Sequence, residues 1–310
     1  MANQVTRRTF VKSGVAGAAG WLAGNATRSS SSAHAATREY GISLAAWSLH
    51  RTIGTRDGQT PMLDMPKLSR EEFGIEAIEL VNRMLASTDK SYIDQFIKNA
   101  AAHNVKILLI MIDGAGNVGA DSETAREKAV ENHNEWIDIA ADMGCHSARM
   151  NWAGYSRDIM QHPEEVQAFI DRSVAPFRKI CDHGDTKNIN VIIENHGGPS
   201  SYPDALIPLI KKVDHERFGT LPDFGNFPAE VDLYDAIDRM MPYAKAVSAK
   251  CYDFDEKTGL ETKLDFERLI ANVVDTHGYH GYIGIEYEGN ALSEFDGIKA
   301  AKKLLETLRS

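Results

Sequence analysis

"VIIENHGG", Val191 to Gly198, is the stretch on which the fold turns. Its β-branched run has the composition of a buried strand, yet it passes without a break into Glu194, Asn195, His196 and two glycines. A buried carboxylate without a partner costs several kcal/mol. Glu194 therefore has either a structural partner or something to hold.

On both sides of this stretch, short apolar runs alternate with longer segments at helical spacing. The runs expected as strands are Tyr40–Trp47, Ile75–Val81, Val105–Ile112, His146–Trp152, Asn190–Asn195, Phe218–Phe224, Ala246–Tyr252 and Tyr282–Glu288. Each is bounded by Gly, Asp or Asn, as parallel strands covered on both faces should be. The segment after the fourth run opens on Pro163 and carries Val166, Phe169, Ile170, Val174, Phe177 and Ile180 at steps of three and four, which predicts a helix. Pro176 within it predicts a kink or break, and Gly184 is expected to close it. The next-best fold, a doubly wound open sheet, would want a glycine fingerprint after the first strand, and "WSLHRTIG" is not one. Eight strand-helix units with no linker between halves predict an α/β fold, a single (β/α)8 TIM barrel over residues 36–310.

Residues 1–35 read differently. "TRRTFVKSG" precedes a small, weakly apolar segment and "AHA", which resembles a twin-arginine signal peptide with Arg7 and Arg8 as the pair and cleavage expected after Ala35. The expected location is periplasmic or otherwise exported, with no membrane anchor after cleavage, since no apolar run approaches the ~20 residues of a span. Removing residues 1–35 leaves 30 basic against 44 acidic residues. Such a surface repels phosphate backbones, so no nucleic-acid partner is expected, and a homo-oligomer is compatible with the sequence. Cys145, Cys181 and Cys251 contain no C-x-x-C pair and are expected to be buried free thiols.

In a barrel of this kind the active site lies at the C-terminal strand ends. Strand five ends in Glu194 and His196, six in Asp223 and Asn226, seven in Ser248 and Lys250, eight in Glu286 and Glu288. Converging carboxylates repel one another unless a cation sits among them, and Glu, Asp and His are ligands for a hard or borderline divalent ion. Alternatively, each acid caps the helix after its strand or pairs with Arg149 or Lys250.

The motifs "IIENHGG", "LPDFGNF", "VSAKCYDF" and "GYIGIEYEG", with "GIEAIELV" on strand two, resemble the sugar isomerase/epimerase family with a xylose isomerase-like TIM barrel. The resemblance implies a divalent metal (Mn, Co, Zn or Mg) held by Glu194, Asp223 and Glu286, with the two glutamates as acid and base beside a sugar carbonyl. The family's usual histidine two residues before the strand-seven lysine is here Ser248. His196, a water or nothing would fill that ligand position.

The expected reaction is metal-dependent isomerisation or epimerisation of a non-phosphorylated sugar or keto-sugar by proton transfer next to a carbonyl. Glu194, Glu286 and Lys250 would be catalytic, with Lys250 at the developing oxyanion. Trp47, His50, Arg149, Asn151, Trp152, Asn226 and Glu288 are candidate substrate-binding residues, and Glu79 faces the same pocket without an assignable role. A keto-glycoside lyase or hydratase would use the same site, and a non-catalytic carbohydrate-binding barrel is the reading from another class. An apurinic endonuclease on this fold is disfavoured by charge and by the lack of extra histidines.

Overall fold

The computed structural model describes residues 37–152 and 157–309, so the signal-peptide reading lies outside the described residues. Eight parallel strands, β1 (Gly41–Ala45), β2 (Ala77–Val81), β3 (Lys106–Ile112), β4 (Ser147–Met150), β5 (Asn190–Glu194), β6 (Phe218–Leu221), β7 (Val247–Cys251) and β8 (Tyr282–Tyr287), form one sheet. The hydrogen-bonded order is β6-β5-β4-β3-β2-β1-β8-β7. Its two ends meet through parallel bridges, Thr220 with Ala244 and Asp223 with Ser248, which curl the sheet into the expected TIM barrel. All eight strands fall within the runs read from sequence. Their near-continuous burial, complete in β2, β4, β6 and β7, is that of strands covered on both faces.

Helices α1 (Met65–Phe73), α2 (Lys90–Ala102), α3 (Glu123–Asp142), α4 (Pro163–Lys187), α5 (Pro203–Val213), α6 (Leu233–Met240), α7 (Phe266–Ile270) and α8 (Glu294–Thr307) follow the strands in alternation. Two local expectations for α4 are corrected. The helix runs unbroken through Pro176, because Phe169 and Ile170 before it and Phe177 and Ile180 after it are anchored in the same core. It also ends at Asn188, in the left-handed conformation, and not at Gly184. Gly184 lies inside the helix where it passes Ile189, whose carbonyl oxygen would sit 2.7 Å from an added Cβ.

The three cysteines are free and buried, as expected. No helix among the described residues is long and apolar enough to cross a membrane.

The helix caps settle one question from the sequence. Ser122, Asp232, Asp265 and Ser293 provide the side-chain caps of α3, α6, α7 and α8. Glu194, Asp223, Glu286 and Glu288 cap none of these helices, so their charges are committed elsewhere.

Candidate functional site

Glu194 is the last residue of β5, and there the strand's alternation stops. His196 N–H donates to the Glu194 carbonyl, and Gly197 takes φ +84°, a conformation that favours glycine. The Ser200 and Ser201 hydroxyls accept from the His196 and Gly197 amides and fix the turn. Asn195 clasps the neighbouring strand end in both directions: its Nδ2 donates to the Asp223 carbonyl at 2.9 Å and its Oδ1 accepts from the Asp223 amide at 2.7 Å.

These contacts bring Glu194, Asp223 and Glu286 together. All three are buried, with one carboxylate oxygen of each lying within 4.8 Å of the others. At an effective dielectric near 20, two charges at that distance repel by about 3–4 kcal/mol. Burial first, and then the neighbouring carboxylates, push the Asp223 carboxyl up to about 6 and that of Glu286 well above the usual range, against the opposing pull of Lys250.

The Ser248 hydroxyl, on β7, bridges two of the three. It lies 2.6 Å from Asp223 Oδ2 and 3.2 Å from Glu286 Oε2. His196 does not join them: its side chain is exposed and it stands outside the buried triad, because the turn after Glu194 carries it out of the strand's register. The reading of His196 as a metal ligand is therefore withdrawn.

Two cations serve the centre. Lys250, only 2% exposed, donates to Asn226 Oδ1 at 3.0 Å and lies 3.7 Å from Glu286 and 3.5 Å from Glu288. Asn226 Nδ2 in turn donates to Glu194 Oε1 at 2.8 Å, so the amide passes the lysine's influence to the glutamate. Arg149 points inward from β4. Its Nη1 donates to Asp113 and Asn151, and its Nε sits 2.7 Å from Glu194 Oε2. That last contact is an ion pair without hydrogen-bond geometry, and both atoms are buried without a hydrogen-bond partner. Three buried carboxylates that bring one oxygen each within 4.8 Å of the others are a donor set for a cation. The residues fit a divalent ion, and with Ser248 in place of an imidazole the donors are all oxygen, which suits Mg or Mn better than Zn or Co.

Two candidates change role. Arg149 is 3% exposed and braces Glu194 and Asp113, with Asn151 in the same network, so it sits beneath the acids as a positioning residue. Trp152 is 1% exposed, stacks on Phe169 at 4.8 Å and donates to Ser173, so it packs α4 onto the barrel and is no sugar platform. Trp47, by contrast, stays partly open and donates to Glu288 Oε1 at 2.6 Å. Asp113 was not singled out in the sequence, and Asn195 was noted at its strand end without a role. Both sit at strand ends, the one signal that points to them.

Glu79 lies deeper in the barrel, where Ser43 donates to its Oε1 at 2.6 Å. Gly284 makes room for it, since an added Cβ there would stand 2.5 Å from the carboxylate. Burial raises this carboxyl to about 7. A raised carboxyl favours the folded state while protonated; that contribution is complete below the unfolded value near 4.5 and is lost as pH rises through about 7. Glu79→Gln is accordingly expected to leave stability unchanged at pH 4 and to raise it by about 2–3 kcal/mol at pH 8, read by urea denaturation. Destabilisation at both pH values would mean that the charged form is the one held.

The description "xylose isomerase-like TIM barrel" belongs to the family model that matches residues 70–310. Among solved structures, an L-ribulose 3-epimerase superposes with TM-score 0.70 at 12% identity, covering 87% of this chain and 94% of its own. A xylose isomerase-like TIM barrel protein from Mycobacterium smegmatis in complex with magnesium gives 0.62 at 21% identity, with coverages of 88% and 97%. The 3-keto-D-glucoside 4-epimerase from E. coli gives 0.67 at 16%, with 83% and 99%. At these identities the likeness is one of fold. No protein of curated function matches the sequence.

Proposed function

Because the chain belongs to the xylose isomerase-like TIM barrel family, we propose that it is a metal-dependent isomerase or epimerase that moves a proton next to the carbonyl of a non-phosphorylated sugar or keto-sugar. The observation that carries this reading is the buried triad Glu194, Asp223 and Glu286 with Lys250 beside it. Charges so costly to bury concentrate at functional sites. The names of the structural neighbours, sugar epimerases among them, support the same class of substrate.

Glu194, Asp223 and Glu286 would hold the ion, with the Ser248 hydroxyl between the last two. When bound, the metal supplies Lewis-acid stabilisation of negative charge on the substrate oxygen. Glu194 and Glu286 enter the site from β5 and β8, so one takes the proton from carbon and the other returns it. The Lys250 ammonium faces the oxygen on which charge develops, and Asn226 keeps Glu194 turned toward the site. Glu288 and Trp47 form the wall where substrate hydroxyls would bind. Residues 1–35 would act as a twin-arginine signal peptide, placing the barrel of residues 36–310 outside the cytoplasm, where free sugars and not sugar phosphates are met.

The test is metal content by inductively coupled plasma mass spectrometry on protein purified without chelators, followed by solvent-proton exchange into keto-sugars. We expect near one Mg or Mn per chain, lost in Glu194→Gln and kept in His196→Ala. Ser248→His should shift preference toward Zn or Co by at least about tenfold, the usual scale for changes around a metal's ligands. Folded protein with no stoichiometric metal and no exchange would put the non-catalytic carbohydrate-binding reading first.

A further inference from the structure

The acidic triad occupies the ends of β5, β6 and β8. The loops after β1 and β2 form something different, a groove of about 400 Å³ whose lining includes Trp47, His50, Arg56, Gln59, Arg83 and Met84. No Asp or Glu lines it, in a chain with 44 acidic residues against 34 basic. Its volume falls within the range of small-ligand sites.

The polar groups are set for an anion. The Arg83 side chain is exposed and has no hydrogen-bond or ion-pair partner among the described residues, so its whole fork is free. Arg56 spends Nη2 on the His50 carbonyl at 2.8 Å and Nε on Gln59, which fixes the guanidinium in the groove and leaves Nη1 to donate. The His50 ring stacks on Trp47 at 4.8 Å with 17° between planes, and its Nδ1 donates to the Trp47 carbonyl at 2.7 Å, which holds the two rings as a flat floor. A free guanidinium binds a planar oxyanion in two-pronged fashion, as Arg83 can, and Arg56 adds a second positive charge and one more donor above an apolar floor.

Trp47 joins the groove to the acidic centre. Its indole Nε1 donates to Glu288, whose other oxygen lies 3.5 Å from Lys250. A ligand with its reacting carbons at the triad thus has a wall leading to the arginines.

We infer that this groove is a subsite for an anionic oxygen group, so that the preferred substrate is a sugar acid whose carboxylate lies away from the reacting carbons. The inference rests on the sugar-isomerase reading for the position of those carbons. The groove's affinity for an anion, however, needs no chemistry at the triad.

Binding is therefore measured without turnover, by intrinsic fluorescence titration of the full barrel in chelator, with Trp47→Phe as the signal control. The probes are D-glucuronate, D-glucose 6-phosphate and D-glucose. We expect at least one charged probe to bind about tenfold or more tighter than glucose, an advantage that shrinks with salt, is weakened in Arg83→Lys and is lost in Arg83→Glu. Preference for glucuronate supports a sugar acid, whereas preference for the phosphate alone overturns the sugar-acid assignment. Equal binding of all three probes, or a preference that Arg83→Glu leaves intact, overturns the subsite. Proton exchange into neutral keto-sugars by the metal-loaded parent protein separates the two ideas: a parent that exchanges but shows no anion preference leaves the isomerase reading standing and removes only this one.

Discussion

Glu286→Gln is expected to lower kcat/KM for proton exchange by about 10³-fold, within the range that a positioned acid or base contributes. The amide is nearly isosteric with the carboxyl, so the pocket keeps its shape, but the group proposed to take or return the proton is gone. Stability supplies the control. Burial raises this carboxyl, so its contribution to stability is present at low pH, where it is protonated, and is lost as pH rises through its folded value. In chelator the variant should therefore melt no lower than the parent at pH 8. Lost activity with an unchanged melting temperature supports the catalytic role. Exchange within tenfold of the parent would remove Glu286 from the chemistry.

Arg149→Met carries the largest expected cost in stability, about 3–5 kcal/mol at pH 7 by urea denaturation. The guanidinium is buried between Asp113 and Glu194, and its loss leaves both carboxylates without their cation. Burial works against the charge on Asp113, but Arg149 outweighs it and holds that carboxyl below its ordinary value. The stabilisation from this pair is present above the unfolded carboxylate range and is lost as pH falls through the lowered value. The cost of the variant should accordingly shrink from pH 7 toward pH 3. Arg149→Lys should recover only part of it, because a single ammonium cannot span two carboxylates as a fork does. A cost under about 1 kcal/mol would mean that the acids are balanced by other groups.

The strands and the carboxylates that end them could be read directly, because a buried strand writes its burial into consecutive residues and a charge at its end stands out against that run. Less legible was where each side chain goes once the strand stops. His196 is two residues from Glu194 and would share its side if the strand continued, but Gly197 turns the chain and His196 leaves the triad. Trp152 and Trp47 looked alike as aromatic residues at strand ends. Trp152 is covered by α4 and Trp47 is left at the mouth, a difference set by helix packing that neither local sequence records. Ser248 reads as a missing ligand in the sequence, whereas in the structure its hydroxyl ties Asp223 to Glu286.

The sequence by itself determined the barrel, its eight strands and the presence of Glu194, Asp223, Lys250 and Glu286 at one mouth. Periodicity and the desolvation cost of charge are local properties, legible residue by residue. Only the tertiary structure decided the pairings: Arg149 with Asp113 and Glu194, Asn226 between Glu194 and Lys250, and the two arginines of the β1 and β2 loops in one groove. These partners are far apart in the chain, and an ion pair or hydrogen bond forms only at a few ångströms, a separation fixed by strand register and barrel closure.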